Sequence, residues 1–252
     1  MTQLNSGSLR LVAAAFALAL LAGCATTRNE PAVDYAAIIA APDRSEADRK
    51  NDIRRKAVQL LAFTGVRPGM KVLDFATGGG YSTELMARTV GASGVVYGQD
   101  APNANAGARA SFEARAKTPA MKNVVRVLRS FDDPVPAEVR DFDAITFFFE
   151  YHEMPRAGID FAKMNRRLFD ILKPGGLLIV ADHSAQAGTG GDMGPTLHRI
   201  EESFVRKHLE AVGFRLIEEG NFLRSPEDKR DLPVFKNPVP NDEFLLKFQK
   251  PR

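Results

Sequence analysis

Residues Lys71 to Thr83 read KVLDFATGGGYST. An apolar run, Val72, Leu73 and Phe75, passes directly into a glycine cluster, Gly78-Gly79-Gly80, and then into helix-forming sequence, Glu84-Leu85-Met86-Ala87. Such a run suits a parallel strand buried on both faces, and glycines let the backbone turn tightly and approach a ligand with no Cβ in the way. Strand, glycine turn and helix N-terminus in that order is how doubly wound α/β folds hold nucleotides beyond the carboxyl ends of their strands. The spacing is not the dinucleotide fingerprint G-x-G-x-x-G. It is Asp74-x-Ala76-x-Gly78-x-Gly80, with an acidic residue closing the strand.

The same alternation continues along the chain. Upstream, Asp43 to Phe63 places Ile53, Ala57, Leu60 and Leu61 at spacings of three and four, which predicts one amphipathic helix with a wet charged face, covering the front of the site. Gly65, Pro68 and Gly69 turn into the first strand. Further strands are predicted at Val95 to Tyr97, finishing at Gln99-Asp100, at Val124 to Leu128, at Phe142 to Phe149 and at Leu177 to Ala181. Helices fall between them at Asn105 to Lys117 and Phe161 to Ile171, the latter followed by the turn Lys173-Pro174-Gly175-Gly176. A helix from Leu197 to Val212, stopped by Gly213, precedes two last strands, Phe214 to Glu219 and Phe244 to Phe248. The pattern predicts an α/β fold: a doubly wound, seven-stranded, mostly parallel sheet with a C-terminal antiparallel hairpin.

With 252 residues, 44% hydrophobic and 26% charged, the chain can bury a sizeable core as one domain. Its 34 basic and 31 acidic residues are interspersed, without a basic run, and it has no Trp. Both features count against a nucleic-acid surface. Arg10 precedes an apolar run, Leu11 to Ala22, too short to span a bilayer and of the length of a signal-peptide core. The run ends in Leu21-Ala22-Gly23-Cys24, which resembles the bacterial lipobox, whose cysteine is acylated and becomes the new N-terminus. A plain secretory signal with an incidental cysteine is the alternative. Cys24 is the only cysteine, so no internal disulfide forms. The expected organisation is a lipoprotein-type signal peptide at 1–23, a tether at 24–42 and a catalytic domain at 43–252. Membrane contact is then expected only through lipidated Cys24, on the periplasmic side of the envelope. Ala25 after the cysteine, in place of Asp, implies the outer membrane in a Gram-negative cell.

The glycine loop resembles motif I of class I S-adenosylmethionine (SAM) methyltransferases, and the resemblance extends over roughly Asp43 to Pro251. It implies the Rossmann-like methyltransferase sheet and SAM as cofactor. By the same resemblance Asp74, Ala76, Gly78 and Gly80 form the loop that packs on the methionine part of SAM. Asp100, 26 residues beyond Asp74, accepts hydrogen bonds from the ribose hydroxyls, and Asp132 or Asp133 meets the adenine amino group. Glu150, closing the fourth strand, completes the cofactor set. Ala76 stands where the family has its first glycine, a substitution expected to be harmless at negative φ.

Methyl transfer is an in-line displacement, so the protein must align the acceptor and, for some acceptors, take its proton. The candidates are His152, Glu153, Asp182, His183 and His198, all at the ends of strands four and five or just beyond, with Arg199 beside them. Imidazole titrates near neutrality and is the natural proton acceptor where several converge. The same histidines with Asp182 could instead hold zinc or iron, although no i, i+4 ligand spacing supports a metal. His208 lies deeper in its helix. Tyr81 either gates the pocket or packs on it. Closest in character is a small group of bacterial methyltransferases with YHE-like, DH and LHRIE segments, here Tyr151-His152-Glu153, Asp182-His183 and Leu197 to Glu201.

The leading expectation is a SAM-dependent methyltransferase acting on a small-molecule or lipid-associated acceptor in the envelope. SAM is made in the cytoplasm, and nothing in the sequence carries it across the inner membrane. Two other classes therefore stay open: a non-catalytic protein that binds a SAM derivative or small ligand on the same scaffold, and a histidine-metal hydrolase of the envelope.

Overall fold

The computed structural model describes Met1 and residues 32–252. The expected signal segment, Cys24 and most of the expected tether lie outside the described residues. Among the described residues no helix is long and apolar enough to cross a membrane. The chain runs through α1 (Tyr35–Ile39), α2 (Glu46–Arg54), α3 (Ala57–Thr64), β1 (Lys71–Phe75), α4 (Tyr81–Val90), β2 (Val95–Asp100), α5 (Ala106–Ala116) and β3 (Val124–Leu128). It continues through β4 (Phe142–Phe148), α6 (Phe161–Ile171), β5 (Leu172–His183), α7 (Gly194–Leu197), α8 (Glu202–Ala211), β6 (Arg215–Gly220) and β7 (Glu243–Gln249).

The strands form one seven-stranded sheet in the order β3-β2-β1-β4-β5-β7-β6. The first five are parallel, β7 runs antiparallel to β5, and β6 antiparallel to β7. Chain order reverses between β1 and β4, and the crevice beyond their carboxyl ends is where such a sheet binds ligands. Successive strand residues face opposite sides. Leu73, Phe75, Ile145, Phe147, Leu178 and Val180 pack with α6 and α8. Val72, Ala144, Ile179 and Leu245 pack with α3, α4 and Phe112 of α5. Both faces are covered, so the central strands carry apolar residues at nearly every position.

Three local expectations change. The helix expected over Asp43 to Phe63 breaks at Lys56, which adopts a left-handed φ of 46°. Ile53 is 81% exposed, and the residues that α2 buries are Asp48 and Asp52. Charge, not grease, docks this helix. Asp48 takes a two-pronged hydrogen bond from Arg115 at 2.8 Å each, while Asp52 pairs with buried Arg44 at 2.9 Å and accepts from Tyr81 Oη at 2.6 Å. The helix expected from Leu197 to Val212 is two, α7 and α8, separated by left-handed His198 and by Ile200, which bridges to Ser184 of the segment after β5. Arg199, expected on the substrate rim, is fully buried. It pairs with Asp228 at 2.8 and 3.2 Å and donates to the carbonyl oxygens of Leu232 and Ser184, pinning the long β6–β7 connection. The Lys173 to Gly176 turn is absorbed into the start of β5. Helix α1 falls inside the stretch expected as a tether, and its Tyr35 hydroxyl donates to the carbonyl of Val66 at 3.0 Å.

Gly80 shows how tightly the loop is seated. Its φ is +81°, and a Cβ there would stand 2.7 Å from the Phe112 ring and 3.3 Å from Arg115 Cδ. Gly80→Ala combines backbone strain with overpacking, an expected loss of about 2 kcal/mol or more. Denaturant unfolding of the variant should show that loss, with the melting temperature lower by about 4–8 °C.

Candidate cofactor and acceptor site

The loop after β1 is built from hydrogen bonds as much as from glycines. Thr77 N–H donates to the carbonyl of Gln99 at 3.0 Å, and Gly80 N–H to that of Thr77 at 2.9 Å. Arg115 Nε donates to the Gly79 carbonyl at 3.2 Å, so the residue that docks α2 also braces the loop. Gly78 has φ +51°, and a Cβ on it would point at Glu150 Oε1, 4.0 Å away across open cavity. Its bareness keeps space for a ligand. Ala76 lies in the left-handed region at φ 59°, so the negative φ at which its methyl group would be harmless is not the one it adopts. That conformation costs an alanine about 1–2 kcal/mol and is imposed where β1 leaves the sheet. Asp74 and Gly80 do not reach the cavity. The Asp74 carboxylate is fully buried and accepts from Ser82 Oγ, Thr83 Oγ1 and Thr146 Oγ1 at 2.9, 2.6 and 2.7 Å. Burial raises its pKa against the pull of those three donors. Gly80 is occupied in packing on Phe112. Both residues support the loop from behind the cavity wall.

Ala76, Gly78, Asp100 and Glu150 face one cavity of about 850 Å³ beyond the β1–β4 switch point. The Asp100 carboxylate accepts from Ala101 N–H at 2.8 Å, lies 3.8 Å from the Arg126 guanidinium and is within reach of the Gly78 N–H. Burial raises its pKa, and the backbone donors with Arg126 oppose the rise. Burial also pushes Glu150 up to about 7. Asp132 and Asp133, expected at the adenine, do not line this cavity. The turn after β3 aims them at cations: Asp132 at Lys163, 2.6 Å, and Asp133 at Arg129 and Arg167, along a separate shallow groove. Phe131 turns inward in their place, against Phe75 and into the cavity wall.

Sequence reasoning passed over Arg54 and Arg55, which also line the cavity. Arg54 approaches Glu243 at 3.6 Å. Arg55 has no carboxylate partner among the described residues; its guanidinium lies 4.5 Å from the Phe149 ring centre and 5.1 Å from that of Tyr81. Burial lowers its pKa to about 10, which leaves it cationic at neutral pH. A sheltered, unpaired guanidinium is a ready carboxylate receptor. Nothing in its sequence neighbourhood, a run of charges at a helix end, distinguishes it from a solvated surface residue. Tyr81 packs: its hydroxyl is committed to Asp52.

The candidates for acceptor chemistry do converge. Beyond β4, Tyr151–Glu153 makes a single 3-10 turn. His152 Nδ1 meets Asp182 Oδ1 at 2.7 Å, and the other oxygen of that fully buried carboxylate accepts from His152 N–H at 2.9 Å. Both bonds fix the ring with Nε2 toward Glu153 Oε1, 3.4 Å away. His198 Nδ1 approaches the same oxygen at 2.6 Å, while Glu153 Oε2 is held by Arg156 at 2.8 Å. Burial alone would lower the His152 pKa, but Asp182 and Glu153 drive it up to about 10, and the hydrogen bond from His152, with Arg156, draws Glu153 down to about 2. His152, Glu153, His183 and His198 all line the cavity. Asp182 stands behind His152 as a positioning residue. His183 pairs separately with Glu243 at 3.1 Å. His208 accounts for itself by bonding the carbonyl of Phe204 and stacking on that ring.

A glycine loop at the switch point, a carboxylate closing β2 and an aromatic wall define the nucleoside-cofactor site of a Rossmann-like transferase. The chain belongs to the methyltransferase domain family, whose model matches residues 67–227. The cofactor that family and fold indicate is S-adenosylmethionine, and the bare Gly78, Asp100 and the unpaired Arg55 suit its amino-acid and ribose groups. A demethylmenaquinone methyltransferase of Staphylococcus aureus (strain MRSA252) is 32% identical over 126 residues, which are 50% of this chain and 48% of that protein. The chain thus spans about half the length of the curated relatives it matches. Among solved structures, a SAM-dependent methyltransferase from Aquifex aeolicus superposes with a TM-score of 0.57 at 22% identity, covering 87% of this chain and all of that one. The [4+2]-cyclase SpnF superposes with a TM-score of 0.56 at 18% identity, covering 81% of this chain and 82% of its own. At these identities the likeness concerns fold, and the fold hosts more than one chemistry.

Two substitutions test the cofactor end. Asp100→Ala should weaken SAM binding by about 1.5–3 kcal/mol, the range for hydrogen bonds to a charged group, as read by calorimetry. Arg55→Met should weaken SAM and S-adenosylhomocysteine while leaving adenosine, which has no carboxylate, bound as before.

Proposed function

We propose that the chain is a SAM-dependent methyltransferase whose acceptor sits in the same cavity, between the glycine loop and the His152–Glu153–His198 cluster. The observation that carries this reading is the continuity of one cavity from Gly78 and Asp100 to the imidazoles. When bound, the cofactor supplies an electrophilic methyl group on a sulfonium. Asp100 and the loop orient its nucleoside, and Arg55 holds its carboxylate. Glu150, near Gly78, places beside the ligand a carboxyl group that titrates at about 7, whose ionised form a cationic ligand would favour. At the far end, His198, oriented by the Glu153 carboxylate, accepts the proton released as the acceptor forms its new bond to the methyl carbon, leaving S-adenosylhomocysteine and the methylated acceptor. Asp182 keeps the His152 ring in place throughout.

The acceptor's chemical class follows from the walls. Phe131, Phe149, Met154, Val234 and Phe235 give the cavity its apolar surface, and Phe235 is 80% exposed at the mouth. A ring-bearing acceptor with an ionisable hydroxyl or activated carbon, extended by an apolar portion through the mouth, fits those features. The relatives named for demethylmenaquinone support a quinone-type acceptor. We further propose that the chain is exported and anchored through Cys24, as the run from Leu11 and the Leu21 to Cys24 motif imply. An anchored enzyme would meet an acceptor dissolved in the bilayer.

The binding-only alternative makes an opposite prediction. Incubated with SAM and reduced demethylated quinones in detergent, the protein should release S-adenosylhomocysteine and the methylated quinol. Glu153→Gln should lower kcat by about 10²–10⁴-fold, the usual contribution of general acid–base catalysis, with the affinity for SAM within twofold of wild type. Binding of SAM without turnover across a panel of hydroxyl and carbon acceptors would favour the sensor.

A further inference from the structure

The arrangement around Glu153 is more specialised than removal of a proton requires. Three donor atoms from separate side chains, His152 Nε2, Glu153 Oε1 and a His198 nitrogen, all lie within 4.8 Å of one another on the cavity wall. Three independent features hold them there. Asp182 grips His152 from behind, occupying Nδ1 and turning Nε2 toward Glu153 and the cavity, the arrangement by which a carboxylate orients a metal-ligating imidazole. His198 sits in a left-handed conformation at φ 54°, ψ 47°, strained for a residue with a Cβ. Helix α7, which His198 caps, packs so closely on the His152 turn that a Cβ at Gly194 would collide with the His152 carbonyl oxygen. The Glu153 carboxylate is committed on one oxygen to Arg156 and turns the other toward both imidazoles.

From this geometry we propose that His152, Glu153 and His198 form a binding site for a divalent transition-metal ion on the acceptor side of the cavity. Two imidazoles and one carboxylate are the donor set of open zinc and non-haem iron sites, which keep coordination positions free for substrate. Bonds of about 2.0–2.2 Å place neighbouring ligand atoms roughly 3.3 Å apart in a tetrahedral site. The Glu153 oxygen already lies 3.4 Å from His152 Nε2 and 2.6 Å from His198 Nδ1, so a small rotation of either imidazole admits the ion. The free positions face the cavity, where an acceptor hydroxyl would bind as its anion, its proton passing to solvent in place of the route through Glu153 and His198 that the metal-free centre offers. The lack of i, i+4 spacing is no obstacle, because the ligands come from two elements brought together by the fold. Metal binding stands on these residues alone; its service to the acceptor rests on the methyltransferase reading.

The test is a titration of the chelator-treated, full-length protein with Co²⁺, followed by visible absorption and by calorimetry, in the absence of SAM. One equivalent per chain should bind, with d–d bands of a four- or five-coordinate ion. His198→Ala should weaken binding at least about 100-fold, and Asp182→Asn by about 10–100-fold, the usual cost of losing an orienting partner. His208→Ala, on a histidine outside the cluster and turned to the Phe204 carbonyl, should bind as wild type. SAM affinity and far-UV circular dichroism of each variant report whether it is folded. No binding, or binding that survives His198→Ala or falls equally in His208→Ala, would leave an ordinary hydrogen-bonded cluster and overturn the site. SAM binding with no metal refutes this proposal alone, and metal binding with no affinity for SAM refutes the methyltransferase reading alone.

Discussion

A single carboxylate buried where no water reaches governs the front of this molecule. Removing an unpaired charge from water is so unfavourable that a carboxylate at such a site must be matched by donors or give up its charge. Asp74 is matched by three hydroxyls, two from the first turn of α4 and one from β4. Because those donors belong to different elements, satisfying the group fixes the start of α4 against the parting of β1 and β4. The five residues between Phe75 and Tyr81 then have little freedom: they must turn from strand to helix across that fixed gap. Ala76, Gly78 and Gly80 do so in left-handed steps. The loop's shape is the geometric remainder of a polar requirement beneath it.

The second constraint is ionic. Helix α2 brings no apolar face to the domain; it is joined by Asp48 to Arg115 and by Asp52 to Arg44 and Tyr81. Arg115 also reaches the carbonyl of Gly79 and the carboxylate of Glu84. The cofactor loop, the helix behind it and the helix in front therefore share one guanidinium. Partly buried networks of this kind tolerate poorly the removal of one member, since the charges left behind lose their partners. Arg54 closes α2 and Arg55 caps it, so the way this helix docks also decides what charge the cavity presents.

The sheet was readable in the sequence because each of its central strands is an apolar run bounded by glycine, proline or acid, and burial on two faces leaves little room for ambiguity. Asp100 and the His152–Glu153 pair were readable for a related reason: strand ends at a switch point face the crevice whatever their details. Other features depend on contacts that no local pattern encodes. Ile53 and Asp52 exchanged their expected environments because the partners of α2 are arginines supplied from 44 and 115. The two aspartates after β3 read as cofactor ligands by position, yet Lys163 and Arg167 of a later helix draw them outward. His198 looked like the start of a helix, and its left-handed turn is imposed by α7 resting on the loop after β4. Arg199 looked like a rim residue until Asp228, in a connection without regular structure, proved to be its counterion.

The backbone of α7 lies directly on the carbonyl of His152, with no room between them for even a methyl group. A residue lacking a side chain thus decides whether two imidazoles meet. Comparisons that weigh only reactive groups would pass over position 194, although any replacement there pries apart the halves of the centre while leaving each half chemically whole. Descendants of this chain could lose the chemistry through drift in the scaffold, with every polar residue of the cluster still in its place.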